Sequence, residues 1–218
     1  MSEILDPDVA AREARASQRS RQLLDAAARL MEKTGSEAVS MQALAAEAGV
    51  SVGLIYRYFG SKDDVLLAVI TDVLTQFEVE VPAAIADAGD DPVRRVGAAF
   101  GAYCRVIDSR RHAALLTYRE SNALGHEARQ RIKELEVATV DPLRRALADG
   151  IAEGRLVAQH SDLVAYNLLL LAHAWALKHW YFERTLDIDG YIRAQLALSL
   201  RGLVAPEFVA EYADLLVG

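Results

Sequence analysis

The chain has 218 residues, 52% of them hydrophobic, and a formal net charge of −7, which leaves ample room for a buried core in one large or two small domains. A single cysteine, Cys104, excludes an internal disulfide framework and fits a reducing compartment, with a small core residue as its expected role. The polar, charged N-terminus has no secretory pattern, and the apolar run Leu168 to Leu177 is too short to span a bilayer, so a soluble cytoplasmic protein without membrane contact is expected.

In chain order, residues 1–16 read as a flexible N-terminal arm, in which Arg12 and Arg15, with Arg19 just beyond, are placed to reach a minor groove or a phosphate. A helix follows at 17–33, with Leu23, Leu24, Ala27, Leu30 and Met31 along one stripe. Then comes SMQALAAEAGVSVGLIYRYFGSK, Ser40 to Lys62, which reads as two short helices joined by a glycine turn and the start of another helix. Counted from Met41, Ala45 is fifth, Gly49 ninth and Ile55 fifteenth. That is the spacing of a helix-turn-helix. A small residue lets the helices cross closely, glycine accepts a left-handed turn, and a branched residue fills the space beneath the second helix.

With Ser51 as N-cap, this second helix covers 52–59. At 3.6 residues per turn, Ile55 and Phe59 face inward, flanked by Val52 and Tyr58. Gly53 and Arg57 face outward, with Leu54 and Tyr56 on the shoulders. Gly53 lets a groove wall approach, Arg57 suits a guanine edge or a phosphate, Tyr56 a phosphate, and Leu54 a thymine methyl. Ser40 would cap the first helix of the pair and also serve a phosphate. An ordinary αα-hairpin with an exposed Arg and Tyr is the plainer alternative, and three features weigh against it. The apolar helix at 17–33 supplies the third helix that such a unit needs. Ser61 and Asp64 form a capping box for the next helix, whose Lys62 points a cation where a phosphate would lie. The charge is also unevenly spread: residues 12–62 carry eight Lys or Arg against five acids, and residues 63–218 carry sixteen against twenty-three.

The run LAAEAGVSVGLIYRYFGSKDDVLLAV, within residues 17–68, resembles the DNA-binding domain of the tetracycline-repressor (TetR) family of transcriptional regulators. The resemblance implies phosphate or base contacts from Ser40, Ser51, Gly53, Leu54, Tyr56, Arg57, Tyr58 and Lys62. Val52 stands where the family often has a polar or basic residue, and Tyr58 where it often has histidine. The operator preference is therefore not carried over.

From Asp63 on, the periodicity is helical, and the class is all-α. Helices are predicted at 62–80, 92–109, 110–123, 126–154, 162–184 and 188–203, with a short tail at 206–216. Breaks are expected at Pro82, 89–92, Gly125, Gly154 and 187–190, and Pro142 is a point of kinking or division. The expected organisation is a three-helix DNA-binding domain at 17–62 and a helical ligand-binding and dimerisation domain at 63–218. The segment LLLLAHAWAL in 162–184 is apolar around its circumference, and YIRAQLALSLRGL in 188–203 on two faces. These two helices are expected to form the two-fold interface of a homodimer, the alternative being that both are interior to one subunit. The family resemblance implies the dimer. So does groove geometry, since a symmetric pair of recognition helices reads half-sites ~34–36 Å apart.

Tyr103, Tyr118, Asn122, His173 and Trp175 are the candidate ligand contacts, on helices expected to surround a central cavity. The aromatics among them also read as core residues, and His173 as a hydrogen-bonded core histidine. The sequence lacks a G-x-S-x-G elbow, a phosphate-cradling glycine loop and a Cys–His pair at nucleophile spacing, and His126-Glu127 has no second zinc-protease histidine. Neither an enzyme nor a cofactor is indicated, and the spacing of Glu120, His126 and His173 does not show a metal site. The chain therefore reads as a ligand-responsive, DNA-binding transcriptional repressor. As a homodimer it would hold a near-palindromic double-stranded DNA operator and be released by a small apolar or acyl-type effector. YRESNAL and AHAWALKHWYF also look like segments of family members that sense acyl-CoA thioesters. The rival is a helical enzyme or small-molecule carrier with an incidental helix-turn-helix, which would bind DNA without sequence preference.

Overall fold

In the computed structural model, which describes residues 7–158 and 160–217, helix α1 (Pro7–Thr34) begins well before the predicted start at residue 17. Residues 7–16 of the expected arm are therefore helical. Proline at the first helical position, followed by a run rich in Ala, Arg and Glu, favours helix over coil. Residues 1–6 and the side chains of Arg12 and Arg15 lie outside the described residues. Helix α1 ends where Gly35, at φ +80°, donates its N–H to the Met31 carbonyl at 2.8 Å.

Helices α2 (Met41–Glu47) and α3 (Val52–Tyr58) are each capped by a serine. Ser40 Oγ accepts from Ala43 N–H at 3.1 Å, and Ser51 Oγ from Leu54 N–H at 3.2 Å. Gly49 turns the corner between them at φ +64°. Ala45 and Ile55 are both buried there, packed with Leu23, Leu24, Met31 and Leu44. These side chains fill the space beneath the turn of the helix-turn-helix head and are continuous with the core of the bundle.

Helix α4 (Lys62–Asp87) starts on Ser61, whose Oγ accepts from Asp64 N–H at 3.2 Å and donates to Asp64 Oδ2 at 2.8 Å. It runs straight through Pro82, where a break is predicted. Proline deprives the Glu78 carbonyl of its donor, but Glu78 and Pro82 both lie on the exposed side, so water can serve that carbonyl. The rest of the bundle is α5 (Pro92–Ser109), α6 (Arg111–Glu120), α7 (His126–Ala152), α8 (Ser161–Leu177), α9 (His179–Phe182), α10 (Ile188–Leu200) and α11 (Ala213–Leu216). Short 3₁₀ turns occupy Ser121–Ala123 and Pro206–Phe208. Pro142 does not divide α7. The predicted helix 162–184 is interrupted at Lys178, and the restart as α9 brings the Phe182 ring parallel to Trp175, 6.4 Å between centroids.

Helix α5 is central, with α4, α7, α8 and α10 around it. Phe77, Phe100, Tyr103, Leu143 and Leu147 fill this interior and are fully buried. The Tyr103 hydroxyl donates to the Thr139 carbonyl, which satisfies it. The C-terminal segment is pinned to the start of α5, where Tyr212 Oη donates to Asp91 Oδ2 at 2.7 Å. Among the described residues no helix is long and apolar enough to cross a membrane.

His173 is the exception in this satisfied interior. It is buried, and among the described residues its Nδ1 has no hydrogen-bond partner. Burial pushes its pKa down from 6.5 to about 4, so the folded protein holds a neutral imidazole.

Two stability measurements follow from this packing. A Cβ on Gly49 would meet nothing within 4 Å, so Gly49→Ala should cost only the left-handed backbone term, about 1–2 kcal/mol in urea unfolding. A neutral result would mean the corner can relax. The second concerns acid. Because the folded-state pKa of His173 is depressed, the unfolded chain takes up the proton first as pH falls through 6.5, and stability drops toward pH 4. His173→Phe should therefore lose about 2–3 kcal/mol less than the parent between pH 7 and 4.5. Equal acid sensitivity in the two proteins would contradict a buried neutral imidazole.

Candidate nucleic-acid interface and ligand site

The outer surface of α3 is formed by Gly53, Tyr56 and Arg57, all exposed, with Leu54 half-buried beside them. A Cβ at Gly53 would meet nothing within 4 Å, so this side of the helix is open to a groove wall. Among the described residues no carboxylate pairs with Arg57, which leaves its five donors for a phosphate or a base edge. Ile55 points the other way, into the head. Tyr58 is partly exposed at the end of α3, its ring tilted against Phe59 at 6.2 Å.

Ser40, Ser51 and Lys62 stand at the N-termini of α2, α3 and α4. Both serine hydroxyls accept capping bonds and still have an O–H to donate toward an anion. Lys62 is already engaged: its Nζ donates to the Glu37 carbonyl at 3.0 Å, tying the loop before α2 to the start of α4. Two ammonium hydrogens remain for a phosphate, so the lysine can serve the fold and the ligand together.

The five ligand candidates do not share one cavity, and the expected central cavity is filled by the aromatic and leucine side chains around α5. Three of the five form a line inward from the surface. Tyr118, 43% exposed, meets His173 edge-on at 5.2 Å. His173 lies 6.2 Å from Phe77, and Phe77 meets Tyr103 edge-on at 5.0 Å. Trp175, two residues beyond His173, faces another side of α8. Its Nε1 donates to Asp108 Oδ1 at 2.7 Å, and its ring packs on Tyr191, His179 and Phe182. Asn122 is exposed and lines a surface recess of about 140 Å³ with Thr117, Ile132, Lys133 and Glu136.

Larger hollows lie elsewhere on the surface. One of about 700 Å³ runs between α4 and α7, over Leu67, Ala68, Thr71, Ala128, Arg131 and Leu135. Another of about 500 Å³ lies between α8 and α10. Beside the small recess, burial and the nearby Glu136 carboxylate raise the Tyr118 phenol to about 12, and burial also raises the pKa of Glu136. Both groups are pushed toward their neutral forms, while Arg129 and Lys133 line the same recess. Among the described residues no group of three or more His, Cys, Asp or Glu side chains is placed to hold a metal ion.

Sequence spacing carried no sign of how α6 is fastened to the head. Arg110, only 11% exposed in its side chain, sits between Asp72 of α4 at 2.9 Å and Asp25 of α1 at 3.6 Å. His112 pairs with Glu32, Arg119 donates to the Glu32 carbonyl at 3.3 Å, and Ser36 donates to Glu120 Oε2 at 2.6 Å. These last partners are 80 to 87 residues apart in the chain, beyond the reach of any local pattern.

Comparison with known proteins bears on this architecture. Residues 23–69 match the profile of bacterial regulatory proteins of the tetR family, and residues 89–203 that of the tetracyclin repressor-like C-terminal domain. The chain is 36% identical over 194 residues to the HTH-type transcriptional regulator HbdR of Aromatoleum sp. (strain CIB), covering 89% of this chain and 82% of that protein. Among solved structures, the TetR-family regulator PfmR of Thermus thermophilus superposes with a TM-score of 0.73 at 24% identity, covering 83% of this chain and 97% of that one. The regulator FadR of Bacillus subtilis, solved with stearoyl-CoA, gives 0.69 at 21% identity, over 84% and 98% of the two chains. These two superpositions speak for the fold alone, whereas the profiles and HbdR reach further. The chain belongs to the TetR family and is a helix-turn-helix, DNA-binding transcriptional regulator.

Proposed function

We propose that the protein is a cytoplasmic repressor that holds a near-palindromic operator as a homodimer and lets go when a small apolar or acyl-type molecule binds. The observation that carries this reading is the pairing of an open α3 surface with a bare apolar stripe on the opposite domain. Helix α8 leaves Leu163, Tyr166, Leu170 and Leu177 exposed, and α10 leaves Leu198 at 66%. Between them runs the groove over Val164, Asn167, Leu171, Ser199 and Leu203. Each large side chain taken from water there contributes about 1.5–3 kcal/mol, so a stripe of this kind favours a partner of matching shape. A second copy across a two-fold axis supplies one, with α8 and α10 from each subunit forming four helices.

The same pairing serves recognition. A seven-residue helix such as α3 reads only a few base pairs, and a symmetric pair reads two half-sites one helical turn apart. Ser40, Ser51, Tyr56, Tyr58 and Lys62 would then hold the backbone, while Gly53, Leu54 and Arg57 meet base edges.

The stearoyl-CoA bound by FadR supports an acyl-type effector, an acyl-CoA among them. The hollow between α4 and α7 is large enough for a drug-sized or acyl body. It lies along the helix that enters the head, so a molecule lodged there would tilt α4 and change the distance between the two recognition helices. By linkage, operator binding then weakens effector binding by the same factor.

Selection from a random pool of duplexes with the purified protein tests this reading. We expect enrichment of a near-palindrome whose affinity falls steeply with salt. Arg57→Ala should lose about 1–3 kcal/mol on that duplex and relax preference at one position. Unchanged affinity would remove Arg57 from the contacts. A pool with no enriched sequence would favour a helical carrier or enzyme instead.

A further inference from the structure

The fold does not account for Gly53. Its φ is not in the left-handed region, unlike that of Gly49 at +64°, and a Cβ built on it would meet nothing within 4 Å. Glycine inside a helix is less favourable than alanine, because its backbone loses more freedom on folding. Neither backbone conformation nor space within the subunit therefore selects glycine at this position. The reason for the missing side chain lies in what α3 meets from outside.

Helix geometry shows what surrounds the gap. At about 100° per residue, the buried Ile55 sets the inward direction, and Gly53 and Arg57 lie opposite it, one turn apart. Val52 and Tyr56 share one shoulder, and Leu54 and Tyr58 the other. The outer surface of α3 thus has two tiers. Tyr56, Arg57 and Tyr58 form one, all exposed and all ending in polar groups. Val52, Gly53 and Leu54 form the other, and their side chains carry no donor or acceptor. Val52 is half-buried and packs partly on the core. Leu54 is half-buried as well but stands outside that core packing, so its methyls are left for the outer surface. Between these two branched side chains, Gly53 leaves a notch where a Cβ would be.

A notch with apolar walls discriminates among bases by what it leaves unsatisfied. On the major-groove edge, adenine presents N6–H and N7, guanine N7 and O6, and cytosine N4–H. Pressed between Val52 and Leu54, any of these groups would lose its water and gain no partner. Thymine alone carries an apolar group there, its C5 methyl.

We propose that Gly53, walled by Val52 and Leu54, is the seat of a thymine C5 methyl, and that each operator half-site carries a thymine at the position facing it. The three residues determine specificity at that base, while the polar tier holds the helix in the groove. The inference rests on the operator reading above and names the base that this part of α3 selects.

The test uses the full-length protein and the selected duplex, with deoxyuridine replacing thymidine at one symmetric pair of positions at a time. Deoxyuridine pairs as thymidine does and lacks only the methyl. Burial of one such group corresponds to about a fourfold change in affinity, so one symmetric pair should weaken binding about fifteenfold when both methyls are removed. Gly53→Ala fills the notch, and since its Cβ meets nothing in the subunit, its urea midpoint should equal or exceed the parent's. This variant should bind the thymidine duplex about tenfold or more weakly, and recover most of the loss on the duplex with deoxyuridine at the sensitive pair.

An enriched half-site without thymine, or one in which every replacement changes affinity less than about twofold, overturns the seat. So does a Gly53→Ala protein that keeps the parent's preference for thymidine at the sensitive pair. A lowered urea midpoint in that variant would show that the glycine serves the fold, and overturns the seat as well. If selection enriches no sequence, the operator reading itself fails; an enriched duplex indifferent to the methyl overturns the seat alone.

Discussion

Val65, Leu66, Val69, Val73, Leu74, Phe77 and Val81 are all buried on the one unbroken helix α4, which packs on α1 of the head and on α5, α6 and α7 of the bundle. A helix of 26 residues is about 39 Å long and resists bending, so neither end can move without the other. The position of the recognition helix is thereby a property of how the C-terminal core is packed. Pro82 does not weaken this rod, because the carbonyl it deprives faces water. Lys62 strengthens it by holding the loop before α2 to the first turn of α4. Helix α6 and the Arg110 before it add a second attachment, through Arg110 to Asp25 and through His112, Arg119 and Glu120, so the head is held from two sides. Two attachments fix the orientation of the head more closely than either would alone.

The head was legible in the sequence because its determinants are local. Ala45, Gly49 and Ile55 each answer a steric demand set by neighbours within a few residues, and Ser40, Ser51 and Ser61 each satisfy a backbone N–H three residues on. The helices of the bundle were legible for the same reason, with boundaries shifted where tertiary context intervened. The early start of α1, the passage of α4 through Pro82 and the interruption at Lys178 all depend on which side of the helix meets water or an aromatic neighbour. Period alone does not carry that information.

The ligand region was read less well. Its residues were picked by type, and type does not distinguish Trp175, whose indole N–H is satisfied by Asp108, from His173, whose Nδ1 has no partner among the described residues. Tyr103 and Tyr118 look alike in the sequence. One is locked in the core by the Thr139 carbonyl, and the other is a half-exposed cover. What separates them is a set of contacts between residues far apart in the chain. The apolar circumference of the 162–184 segment was visible, but only the fold shows which leucines the subunit buries for itself and which it leaves exposed.

The role proposed for the leucines left bare on α8 and α10 is to bring two heads to one duplex. Native mass spectrometry of the parent protein and of the double variant Leu170→Asp, Leu198→Asp addresses it most directly, with circular dichroism to confirm that both are folded. The parent should be a dimer, with any co-purified small molecule visible in the same spectrum. The variant should be a folded monomer, bound weakly or not at all to the selected duplex. A monomeric parent, or a variant that remains dimeric with full affinity, would contradict the claim.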